Sequence, residues 1–255
     1  MYNFTDKDLI KVEKAKKMEE ASLHYGVSYC LLGDDLYPDD MKKLKNMPPV
    51  LYYKGNIKVI NQFKNIAVIG SRKYSAVGKS FSYQTGEIVA KEGVNLVNGL
   101  AIGCDTEAIK GALACGGRCI AIMPCGLDQI QPKSNRKLAE EILKNDGCII
   151  SEYPVGTEIQ KYQYVERDRL QSAISQGVLV VEAERASGTM HTADFARKQY
   201  KRLACYYYKL LELSSGNQYL EENTNAQILK TKKDLQNFVR SIKNEQNFQQ
   251  LTLPF

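Results

Sequence analysis

Residues 68–80 read VIGSRKYSAVGKS, an apolar run leading into a glycine turn that ends on Gly-Lys-Ser. A turn of this kind sets backbone N–H groups and a helix start against a phosphate. The ATP-hydrolysing version requires a glycine separated by four residues from the Gly-Lys-Ser. That position is Lys73, Gly70 lies too far upstream, and Gly-x-Gly-x-x-Gly is absent. The chemistry on offer is phosphate holding without a standard nucleotide fingerprint. Gly70 ends the apolar run and lets the backbone turn closely, Ser71 and Ser75 bring hydroxyls, and Gly78 precedes the helix. Arg72 presents a planar fork suited to phosphate oxygens.

Two further stretches repeat the arrangement. In NGLAIGCDTEAIKGAL (98–113), Gly99 and Gly103 bracket a turn and Asp105 stands near a helix start. In EAERASGTMHTADFA (182–196), Ser187, Gly188, Thr189 and Thr192 surround another. Each is an anion site by its helix end and free amides. One such loop also arises for packing alone, whereas three on one edge, one of them carrying Arg72, point to phosphate. A fourth stretch, YQYVERDRLQSAIS (162–175), places Arg167 and Arg169 between a strand and an apolar helix. These arginines either bind phosphate or pair with Glu152, Glu166 or Asp168. Tyr162 and Tyr164 either stack on bases or pack in the core. No catalytic acid and magnesium-holding hydroxyl stand in register, so no catalytic residue and no cofactor are assigned.

The elements that must position these loops are visible in the hydropathy pattern. Short apolar runs at 65–70, 93–99, 118–123, 147–152, 177–183 and 202–208 alternate with segments of helical period, such as Phe81, Thr85, Ile88 and Val89. Nearly all-apolar strands separated by helices imply a mostly parallel sheet covered on both faces, a doubly wound, Rossmann-like α/β domain. In such a sheet, ligands bind beyond the C-terminal strand ends. Residues 1–24 read as helical, 35–60 as irregular with a strand at VLYYKG, and the end as a loose tail. The expected organisation is an N-terminal helical extension (1–35), the main domain (36–243) and a C-terminal tail (244–255).

Composition narrows the class. The chain has 255 residues, no apolar stretch near the ~20 residues of a membrane helix, and a charged start without a signal-peptide core, so a cytoplasmic protein is expected. Seven cysteines lack any Cys-x-x-Cys pair, and His24 and His191 are the only imidazoles. Reduced core thiols and no metal centre follow. Segment 197–243 carries ten Lys/Arg against four acids, a surplus equal to the whole net charge of +6. It is either a surface for nucleic acid or a solvated lysine-rich end.

The order of motifs resembles the DprA/Smf family of DNA-processing proteins. The resemblance runs over about residues 36–229. It comprises YPDDMKKLKNMPPVLYYKGN, AVIGSRKYSAVG, NGLAIGCDTEAIKGAL, IAIMPCGLDQIQPKSNRKLAEEI, IISEYPVGT, YVERDRLQSAIS, VLVVEAERASGTMHTADFA and SSGNQYLEENTNAQIL. It implies an extended Rossmann-like domain that binds single-stranded DNA in a positive pocket and loads the RecA recombinase during natural transformation, without being an enzyme. By motif match the pocket would be lined by Gly70, Ser71, Arg72, Ser75, Gly78, Gly99, Gly103, Asp105, Arg167, Arg169, Ser187, Gly188 and Thr189. A homodimer is also implied. The chain departs from the family pattern at Asn98, at Ile109 where a histidine is usual, at Arg167-Asp168-Arg169 where Arg-Asn-Arg is usual, and at YYYK (206–209) in place of Pro-Gly. A shortened N-terminal helical module and a missing C-terminal winged helix are further expectations. The alternative is a nucleotide-binding sensor or nucleotide-processing enzyme of the same superfamily, for which Glu182 is the candidate acid. The bland alternative for Glu182 is a strand-end carboxylate that caps the following turn or pairs with Arg185.

Overall fold

The computed structural model describes residues 6–244; the expected tail lies outside the described residues from 245 onward. Charged α1 (Asp6–His24) leads into β1 (Ser28–Leu31), then β2 (Val50–Gly55) and the single turn α2 (Val59–Gln62). The alternating part runs β3 (Asn65–Ile69), α3 (Ala76–Lys91), β4 (Asn95–Asn98), α4 (Cys104–Ala114), β5 (Cys119–Ile122), α5 (Arg136–Lys144) and β6 (Cys148–Ser151). It continues through α6 (Lys161–Ile174), β7 (Gly177–Val180), α7 (Thr189–Lys198), β8 (Arg202–Tyr206), α8 (Ser215–Asn223), β9 (Gln227–Leu229) and α9 (Lys232–Lys243).

These strands form one sheet in the order β1-β2-β6-β5-β4-β3-β7-β8-β9. The β1–β2 and β2–β6 pairs are antiparallel and the rest are parallel. The six apolar runs are thus β3 to β8, each trimmed by a residue or more. Residues 28–31, placed within the N-terminal extension by the sequence, are the edge strand of this sheet. Successive side chains of a strand point to opposite faces, and the core divides accordingly. Ile66 and Val68 join the cluster under α3, α4, α5 and α9, whereas Ala67 and Ile69 join the one containing Leu170, Ile174, Met190 and Leu220. Six of the cysteines, all but Cys115, are buried free thiols. Burial pushes the Cys104 and Cys119 thiols up to about 12, which keeps them inert core groups.

The winding decides where a ligand can sit. From β3 the chain moves outward through β4, β5 and β6, then α6 carries it back to β7, which pairs with the other flank of β3. Strand order reverses between β3 and β7, so the loops leaving these two strands diverge and open a crevice at their C-terminal ends. Those loops hold Gly70–Ser75 and Glu182–Thr189.

Candidate functional site

A cavity of about 630 Å³ occupies this crevice. It is lined from the β3 loop by Gly70, Ser71, Arg72 and Lys73, and from the β7 loop and α7 by Glu184, Ser187, Gly188, Thr189, His191 and Thr192. Helix α6 crosses beside it and contributes Lys161, Tyr164, Arg167, Asp168 and Gln171. Eight of the residues expected at a phosphate site therefore come together: Gly70, Ser71, Arg72, Asp105, Arg167, Ser187, Gly188 and Thr189. Gly99 lines a smaller adjoining hollow with Arg72, Tyr164 and Arg167. Arg167 and Arg169 lie within α6 rather than ahead of it.

The remaining residues work from behind the wall. Ser75 is the N-cap of α3; its Oγ accepts from the Gly78 amide at 2.9 Å. Its own N–H and hydroxyl both donate to Glu182, at 2.7 and 2.8 Å. A Cβ on Gly78 would overlap the same carboxylate. Glu182 is 0% exposed and also accepts from the amides of Glu212 and Leu213. It thus holds a turn together, and Arg185 lies over the Tyr219 ring instead of pairing with it. Gly103 has φ +95°, open to glycine at little cost, and a side chain there would overlap the Ser71 carbonyl. The two loops are tied where Cys104 N–H donates to that carbonyl at 3.1 Å.

The second loop is likewise closed by its own acid. Asp105 accepts from the amides of Gly99 at 2.9 Å and Ala101 at 3.3 Å, and it is buried. A Cβ on Gly99 would overlap the guanidinium of Arg167, which packs against that backbone. Arg167 donates to the Ile122 carbonyl at 2.7 Å and to Asp168 at 3.0 Å, and is 6% exposed. Asp168 also accepts from Gln171. Arg169 leaves the site altogether: it grips Glu152 through two bonds of 2.9 and 2.6 Å and reaches the Asn46 carbonyl.

The exposed cations at the mouth are therefore Arg72, Lys73 and Lys161. At the start of α7 the Met190 and His191 amides donate to the Ser187 and Gly188 carbonyls at 3.1 and 3.0 Å, so this helix end contributes the positive end of its dipole rather than a row of open amides. Arg72 sits 5.3 Å from the Tyr164 ring centroid, leaving a guanidinium and an aromatic face side by side. Tyr162, at 58% exposure, lies outside the cavity lining. None of the ten Lys/Arg of segment 197–243 lines the cavity. Arg240 and Lys243 face Glu92 instead, and Lys230 lies over Tyr207. Sequence reading passed over Lys73 and Lys161, although each stands beside a motif already singled out.

Burial pushes the Asp105 carboxyl up to about 6, against the pull of Arg167 and the two amides. Between about pH 4 and 6 the folded protein thus holds a proton that the unfolded chain releases. Its contribution to stability is present at low pH and lost as pH rises through 6. Asp105→Asn keeps an acceptor for both amides and cannot ionise. Denaturant titrations should show Asp105→Asn gaining on the natural protein by up to about 3 kcal/mol between pH 4 and 7, at about 1.4 kcal/mol per pH unit. An equal gap at both pH values would show that burial does not govern this carboxyl.

Comparison with known proteins settles the family. The model described as "DNA recombination-mediator protein A" matches residues 28–240. The chain belongs to the DNA recombination-mediator protein A family. DNA processing protein DprA of Streptococcus pneumoniae is 35% identical over 188 residues, which are 73% of this chain and 66% of that protein. Protein Smf of Borreliella burgdorferi is 34% identical over 205 residues, 80% of this chain and 64% of that protein. The chain thus spans about two-thirds of the length of these two relatives. The crystal structure of the S. pneumoniae DprA superposes with a TM-score of 0.76 at 29% identity, covering 91% of this chain and 82% of that one. DNA processing protein A of Helicobacter pylori, whose structure is described as showing a unique single-stranded DNA binding mode, gives a TM-score of 0.74 at 32% identity. That match covers 84% of this chain and 95% of that one. A molybdenum cofactor binding protein of Rippkaea orientalis shares the fold alone, with a TM-score of 0.52 at 20% identity.

In this DprA-type chain the Rossmann-like sheet is kept, and the anion seats of its first two loops are filled from within. What remains open is the row Arg72, Lys73 and Lys161, beside the positive end of α7.

Proposed function

We propose that the chain binds single-stranded DNA in the β3–β7 crevice and delivers it to a RecA-type recombinase, acting in the cytoplasm as a homodimer during DNA uptake and recombination. The observation that carries this reading is the convergence of Arg72, Lys161 and the first turn of α7 on one open crevice at the reversal of strand order. Exposed guanidinium and ammonium groups meet backbone phosphates, and Tyr164 beside Arg72 offers a stacking face. Gly70, Ser71, Ser187, Gly188 and Thr189 supply the close backbone approach. Ser75, Gly78, Gly99, Gly103, Asp105 and Arg167 hold the loops in place, and Arg169 fixes α6 to Glu152. The recombination-mediator family and the strand-binding H. pylori neighbour support the same assignment. The enclosure of Glu182, the candidate acid, and its commitment to four donors support a role as a binder rather than an enzyme. No helix among the described residues is long and apolar enough to cross a membrane.

The test is a titration with single- and double-stranded oligonucleotides at two salt concentrations. Single strands should bind tighter than duplex. Log affinity should fall with log salt at a slope near −0.7 for each phosphate neutralised. Equal affinity for both forms, or no binding at low salt, would overturn the reading.

A further inference from the structure

Glu182 occupies the place where a nucleotide-type turn ordinarily receives a phosphate. The carboxylate accepts from the Ser75 N–H and hydroxyl, and lies against Gly78 in the first turn of the 16-residue α3. Its backbone carbonyl takes the Ser71 N–H at 2.7 Å, so one residue fixes both ends of the Gly70–Ser75 turn. The same carboxylate reaches the Glu212 and Leu213 amides at 3.3 and 3.1 Å, which closes the seat from the α8 side. A carboxylate carries the charge and acceptor geometry of an anionic oxygen pair, and a helix start favours it for the reason that it favours phosphate. No room is left for a second anion.

We propose that Glu182 is a specificity-determining residue, a built-in anion that closes the β3 turn to mononucleotide phosphates. Anion binding is thereby confined to the side-chain cations and the start of α7, a layout that suits a polymer running across the crevice and disfavours a free nucleotide held at α3. The polymer preference rests on the proposed function; the occupied seat does not.

Chemical rescue separates the two. Glu182→Ala empties the seat and leaves its donors buried. Its melting temperature should drop by several degrees and recover in formate or acetate, but not in chloride of equal ionic strength. The natural protein should be indifferent to the choice of anion. By equilibrium dialysis, ADP should bind Glu182→Ala at least tenfold tighter than the natural protein. Should the variant aggregate, refolding yield in formate against chloride reads the same property. Recovery no better than in chloride, or equal ADP affinity for both proteins, would overturn the assignment. Rescue by formate together with no binding of oligonucleotides by the natural protein would keep the seat and sink the function.

Discussion

Replacing Arg72 and Lys161 together by alanine should weaken single-strand binding by about 100-fold at low salt, or about 2.7 kcal/mol. Each side chain offers charge-assisted hydrogen bonds to a phosphate, worth about 1.5–3 kcal/mol apiece. Arg72 comes from the β3 loop and Lys161 from the start of α6, so both ends of the contact are removed. Losing two phosphate contacts should also flatten the salt slope by about 1.4. All oligonucleotide sequences should be affected alike, because phosphates carry no sequence information. Both side chains are exposed, so thermal stability should stay within a degree or two. The informative control is Arg240→Ala with Lys243→Ala, which removes the same charge from the basic segment facing Glu92. That pair should change affinity by less than about threefold. Equal losses from both pairs would mean that diffuse charge, not the crevice, attracts the strand.

The second large effect is on the fold. Gly86 of α3 and Gly111 of α4 let the two backbones cross in contact. A Cβ on Gly86 would overlap the Ala108 carbonyl and stand 2.7 Å from the Ala112 nitrogen, and a Cβ on Gly111 would overlap the Tyr83 carbonyl. Neither obstacle is a movable side chain, so the helices must separate. Gly86→Val should therefore cost about 4 kcal/mol or more, in the range reserved for severe overpacking. At roughly 2–4 °C per kcal/mol for a chain of this size, the melting temperature should fall by about 8–16 °C. Because α3 and α4 leave the two loops tied at Ser71 and Cys104, single-strand affinity should fall as well, even well below the transition. A variant with unchanged melting temperature would show that the crossing has slack.

The parts of this molecule that were legible in sequence are those set by local pattern. The apolar runs gave β3 to β8 because strands buried on both faces need nearly every side chain apolar. The strand at VLYYKG became β2. Edge strand β1, of four residues, and β9, of three, lack that signal because each is partly exposed. At the site, glycines near Arg72, Asp105 and Ser187 marked the right loops. Which amides of the β3 turn stay open was illegible, since the acid that fills it arrives from afar: Glu182 meets Ser75 across 107 residues. The same holds for Arg169, whose choice between phosphate and Glu152 depends on how α6 lies against β6. Net charge did not mark the crevice. The excess in 197–243 is spread over α7, β8, α9 and the segments between them, whereas the exposed cations lining the crevice are Arg72, Lys73 and Lys161.

The pairing of β3 with β7 has a consequence for biogenesis. Ile66 and Gly177 are neighbours in the sheet, yet more than a hundred residues of chain must be made between them. Contacts of such sequence separation form slowly. Throughout that interval a growing chain would present β3 as a bare apolar rim, open to pairing with another nascent copy. Both walls of the crevice exist only after β7 has docked, so a ribosome-bound fragment ending before residue 177 lacks the crevice altogether.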